Sequence, residues 1–133
     1  MTWFGIAAAS AAVLGIARVL TPDPSGVGTH VQLGIPRCGF LAITGLPCPA
    51  CGLTTAFAHM ARGEIGGALD ANALGVLLFA IVCVMLPFGV WAGVRELPLF
   101  ETFARVRAAQ SCGMIAALGF VYWCARVTWI VVH

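Results

Sequence analysis

Three long apolar runs divide this chain, and the polar breaks between them set its organisation. Trp3 to Leu20 holds a single charge, Arg18, near its end and is stopped by Thr21-Pro22. As a helix it would be about 27 Å long, enough to cross a ~30 Å hydrocarbon core while Arg18 snorkels to the headgroups. No basic residue precedes the run, so it reads as a retained span and not as a secretory signal. Ala73 to Val94 predicts a second span, kinked at Pro87. Ser111 to Val132 predicts a third, with Tyr122, Trp123 and Trp129 forming an aromatic belt and Arg126 snorkelling. Small residues at Ala7–Ala12, Gly15, Gly89 and Gly93 offer faces that another helix can approach closely.

A fourth apolar stretch, Cys38 to Met60, is interrupted by Gly45, Pro47, Pro49 and Gly52, which a continuous helix does not tolerate. The helical part is expected to open at Pro49, a residue suited to a first turn, and to run to Arg62-Gly63. That is roughly 13 residues, or ~20 Å, too short to span, so it predicts a re-entrant or interfacial half-helix. At 100° per residue Cys51, Thr54, Thr55, His59 and Arg62 share one polar stripe of it. Residues 21–37, with three Pro and three Gly, predict a loop outside the bilayer. Residues 63–72 predict a polar break ending in Asn72 as an N-cap, and 95–110 an interfacial connector.

Composition agrees with this reading. The 133 residues are 61% hydrophobic and 9% charged with mean hydropathy +1.00, against roughly 25% charged in soluble domains. One all-α membrane domain over 1–133 is expected, in contact with the lipid bilayer. The net charge of +2 comes from seven Arg scattered singly, so no basic run tracks a phosphate backbone and nucleic acid is excluded as a partner. Arg95, Arg105 and Arg107 are denser than Arg18, Arg37 and Arg62, which puts the connector in the cytoplasm and the cysteine loop on the outer face.

Candidate chemistry is concentrated in Thr44–Thr55, TGLPCPACGLTT. Cys83, Cys112 and Cys124 lie in apolar runs, where a cysteine behaves as a small hydrophobe. Cys38, Cys48 and Cys51 remain, and Cys48 and Cys51, three residues apart at a helix start, sit where thiolate is favoured. They could form a redox dithiol, a metal site with Cys38, or a structural turn. The Cys-x2-Cys half is a common knuckle for tetrahedral zinc. His59 is about 12 Å farther along the expected helix, so His30 or water would complete such a site. His59 and His133 could ligate a pigment or haem but read as interfacial histidines.

The stretch from Cys38 to Asn72 resembles DUF2752, a family of small bacterial membrane proteins with a CPxCG motif. The matching positions are Thr44, Gly45, Cys48, Pro49, Cys51, Gly52, Thr54, Gly63 and Asn72, with Cys38 at the usual upstream cysteine. Many members carry Arg where this chain has Thr55. The resemblance implies a multi-pass protein of the bacterial inner membrane and no settled activity. With the small-residue faces, it points to a non-catalytic accessory or scaffold subunit among other membrane-protein subunits. The alternatives are a thiol-disulfide oxidoreductase using Cys48 and Cys51, and a structural or sensing zinc site at Cys38, Cys48 and Cys51. In each, Gly45, Pro47, Pro49, Gly52, Thr54 and Asn72 shape the turn.

Overall fold

A computed structural model of the protein describes residues 2–105 and 107–132. Among them every α or β element is helical: α1 Thr2–Val19, α2 Gly39–Thr44, α3 Leu53–Met60, α4 Ile65–Val94, α5 Leu99–Arg105 and α6 Ala108–Val132, with a 3-10 turn at Thr29–Leu33. Helices α1, α4 and α6 are long and apolar enough to cross a membrane. The three spans expected from the apolar runs are therefore present, and the fold is that of an all-α, multi-pass membrane protein. His133 lies outside the described residues.

Helix α6 begins at Ala108, three residues before the expected span, and two boundaries near the thiols also differ from expectation. Residues 65–71 are helical instead of a polar break. Gly66 and Gly67 disfavour helix by about 1 kcal/mol each, but burial here outweighs propensity. Ala68 and Ala71 are 0% and 2% exposed against Ala56, and a Cβ at Gly67 would lie 2.8 Å from the His59 ring. The second difference is α3, which starts at Leu53 and has 8 residues. Pro49 belongs to the turn before it, because the backbone at Gly52 is left-handed (φ 87°) and no helix propagates through it.

Asn72 divides α4. Its backbone is extended (φ −167°, ψ 109°), and its Oδ1 accepts the Gly75 N–H at 3.3 Å. This is the N-cap expected for the second span. The helix beyond it, 73–94, is about 33 Å long and matches the bilayer core.

Close packing of small residues joins α1 to α4. A Cβ at Gly89 would meet the Trp3 carbonyl oxygen at 3.0 Å and the Ala7 nitrogen at 3.1 Å, and one at Gly93 would meet the Phe4 ring. Of the small residues expected to receive a neighbouring helix, Ala7, Gly89 and Gly93 do so within the chain, whereas Gly15 meets nothing within 4 Å. Trp3 closes this end: Nε1 donates to the Leu97 carbonyl at 2.7 Å, and the ring meets Phe88 edge-on and stacks on Phe103, each at 5.5 Å. At the other end α3 lies on α4, where Ala56 faces Gly75 and Phe57 meets Phe79 at 5.4 Å. Helix α6 joins through Gly119 against Leu74 and the Ala73 N–H donating to the Tyr122 hydroxyl at 3.4 Å.

Gly89→Leu should force α1 away from α4 and lower stability by about 1–3 kcal/mol. Thermal unfolding in detergent reads this, and an unchanged midpoint would contradict the packing described.

Candidate functional site

The site is built by a chain reversal between α2 and α3. Helix α2 follows Cys38 directly and ends at Gly45 (φ 72°), whose N–H returns to the Leu41 carbonyl at 2.9 Å. Pro47 and Pro49, with fixed φ and no N–H, then hold the chain out of helix. Two turn bonds fold 48–53: Cys51 N–H to the Cys48 carbonyl at 3.0 Å, and Leu53 N–H to the Ala50 carbonyl at 3.1 Å. Gly52 is the crossing point. A side chain there would overlap the Ala71 carbonyl oxygen and come within 2.9 Å of the Gly26 carbonyl oxygen, so loop, turn and α4 meet where only hydrogen fits.

Alternate carbonyls of the turn are held from outside it. Trp123 Nε1 donates to the Pro47 carbonyl at 2.7 Å. Asn72 Nδ2 donates to the Pro49 carbonyl at 3.2 Å and to Cys51 at 3.0 Å, and Arg126 Nη1 approaches the Cys51 carbonyl at 3.5 Å. Asn72 is 0% exposed, so each of these bonds would be costly to leave unmade. From the loop side, Thr29 and Thr55, both 0% exposed, pair their hydroxyls at 2.8 Å, and Thr29 Oγ1 also accepts the Asp23 N–H at 2.9 Å.

This framework brings three thiols together. The Sγ atoms of Cys38, Cys48 and Cys51 all lie within 4.8 Å of one another, and Cys48 and Cys51 are 3.0 Å apart. All three are free thiols, Cys51 buried and the others half-buried. Among the described residues this is the place where three potential metal ligands converge. Cys83, Cys112 and Cys124 are exposed on α4 and α6, so they face outward from the spans instead of packing within them. The three clustered thiols differ. Burial, then contact with Cys48, pushes Cys51 up to about 12. The Leu41 N–H, then the Cys51 and Cys48 thiols, hold Cys38 below the ordinary thiol range.

The thiols form one wall of a cavity of about 430 Å³ whose other walls include His30, Arg37, Leu41 and Thr54. His30 lines the cavity but is not in the ligand cluster. The predicted polar stripe of α3 does not act as one face. Cys51 precedes the helix and Thr55 is buried against Thr29. His59 Nδ1 sits 2.6 Å from Glu64 Oε2, while Arg62 reaches the carbonyls of Ala58 at 2.8 Å and Arg18 at 3.3 Å, near the C-terminal ends of α3 and α1. Cations are favoured at those ends.

The thiol turn, α3 and most of α4 coincide with a known sequence family. Residues 38–86 match the family model DUF2752, a protein of unknown function. No curated protein and no solved structure matches the chain. The matched segment contains all three clustered thiols, Gly52 and Asn72. Trp123 and Arg126, which hold the turn from α6, lie beyond it, as does Thr29. From sequence, Trp123 and Arg126 look like membrane-boundary residues. Their three-residue spacing, which puts them on one helix face, is the signal that could have marked them as a pair. Thr55, where many DUF2752 proteins carry Arg, here completes a buried hydroxyl pair.

In metal-free protein, iodoacetamide should modify Cys38 from lower pH than an ordinary thiol, while Cys51, with its proton held to about pH 12, stays unmodified at neutral pH. Asn72→Ala frees the Pro49 and Cys51 carbonyls, which should cost about 2–4 kcal/mol and expose Cys51 to the reagent. Mass-spectrometric mapping against pH checks both; equal reactivity of the two thiols in the parent protein would refute the asymmetry.

Proposed function

We propose that this chain is a small non-catalytic membrane protein that holds a zinc-class ion between Cys38, Cys48 and Cys51, acting as an accessory component in the membrane. The carrying observation is the convergence of three Sγ atoms within 4.8 Å. Thiolates bound to tetrahedral zinc at ~2.3 Å stand about 3.8 Å apart. The Cys48–Cys51 pair at 3.0 Å opens and the widest pair closes by at most about 1 Å to reach that spacing. Soft thiolate donors favour zinc or monovalent copper over magnesium and calcium. Protein purified under reducing conditions should carry about one equivalent of zinc, released as pH falls and the thiolates protonate. Cys38→Ser should lower affinity by at least tenfold. Less than half an equivalent by metal analysis would refute the reading.

A second reading is favoured by the 3.0 Å approach of Cys48 and Cys51: a dithiol that closes to a disulfide as an acceptor disulfide is reduced. In that case Cys38→Ser leaves exchange with a partner disulfide intact while Cys51→Ser abolishes it. The metal reading instead expects both Cys38→Ser and Cys51→Ser to weaken metal binding, so Cys38 is the residue that separates the two.

The density of Arg95, Arg105 and Arg107 supports the connector on the cytoplasmic side of a bacterial inner membrane and the thiols on the outer face. Helices α3 and α2 sit toward the ends of α1 and α6 remote from Trp3 and Leu97, consistent with one side for the whole site. In intact cells stripped of zinc with a membrane-impermeant chelator, a membrane-impermeant maleimide should therefore label Cys38 before lysis. Labelling only after lysis would reverse the orientation.

A further inference from the structure

We infer that the fourth coordination position of this centre is left open by the protein and takes a small organic thiol, bound as thiolate, from the adjoining cavity. The inference rests on the metal reading and adds to it. Closed structural zinc sites use four protein ligands, whereas sites that act on a ligand supply three and keep one position open. Here the chain supplies three. Among the described residues no fourth His, Cys, Asp or Glu joins the cluster, and His30, the histidine that lines the cavity, stands in its wall outside the cluster. The three sulfurs border a space of about 430 Å³, within the 300–1,000 Å³ range of small-molecule sites.

The walls select the ligand. Val27, Ile35 and Leu41 are apolar and suit a short carbon body, while Arg37 contributes a cation. A centre already holding three thiolates is soft, so sulfur is preferred over carboxylate oxygen as the fourth donor. Four thiolates around a divalent ion carry a net charge of −2, as in ordinary four-cysteine zinc sites. Arg37 at the cavity and Arg126 beside the Cys51 carbonyl offset that charge. The exchange balances simply. The thiol loses its S–H proton to solvent, its sulfur forms the bond to the metal, and the water held there departs; no electrons are transferred.

Cobalt(II) loading of the full-length protein in detergent, with a phosphine as reductant, tests this. Cobalt bound by three cysteines should show thiolate-to-cobalt charge transfer, and adding 2-mercaptoethanol should shift the visible bands saturably and raise that charge transfer by about a third, from three thiolates to four. Arg37→Gln should raise the half-saturating thiol concentration about two- to fivefold, the range of an exposed charge, and ethanol should produce no shift. Bands indifferent to the thiol, or bands altered by His30→Ala before any thiol is added, would overturn the open position. Loss of cobalt to the thiol would overturn it too. Absence of any charge-transfer band on loading would instead overturn the metal reading beneath it.

Discussion

The buried amide of Asn72 is the interaction on which the rest depends. Its oxygen caps the spanning part of α4 at Gly75, and its nitrogen donates to two carbonyls of the cysteine turn. One side chain therefore fixes where a membrane helix begins and where two of the three sulfurs lie. A turn containing two prolines has lost two backbone donors, and much of its hold on the surrounding fold comes from what donates to its carbonyls. Trp123 and Arg126 supply further contacts of that kind from α6.

Glycine and alanine make such proximity possible. Gly52 lets the turn pass against Ala71 and Gly26, Gly75 admits Ala56, and Gly89 seats α1 on α4. In lipid, helix association comes from close contact and hydrogen bonding instead of water exclusion. The apolar bulk of α6 stays on the outside, where lipid replaces protein as the packing partner. Its attachment is made through a few specific contacts, among them Gly119 on Leu74 and the Tyr122 hydroxyl.

Electrostatically the clustered thiols are unequal. Cys51 is buried and resists ionisation by itself, whereas Cys38, supported by the Leu41 N–H, ionises more readily. A divalent ion changes that balance, because metal coordination supplies the positive charge that burial withholds. Arg37 and Arg126 then stand near a centre that would carry net negative charge.

The amino-acid sequence by itself determined the three spans, the broken fourth segment, the capping role of Asn72 and the membership of Cys38, Cys48 and Cys51 in one region. These follow from local rules: bilayer thickness sets run length, proline and glycine stop helices, and Asn satisfies orphan N–H groups. Tertiary structure decided what local rules do not reach. Residues 65–71 became helical because α3 buries their alanines, and α3 began at Leu53 because the crossing of three backbones imposes a left-handed Gly52. The expected helical stripe dissolved into separate partnerships, and Trp123 and Arg126 turned from boundary residues into supports of the thiol turn. Such contacts join residues as far as 76 positions apart, and they depend on which helices lie side by side, which no periodicity within a single segment encodes.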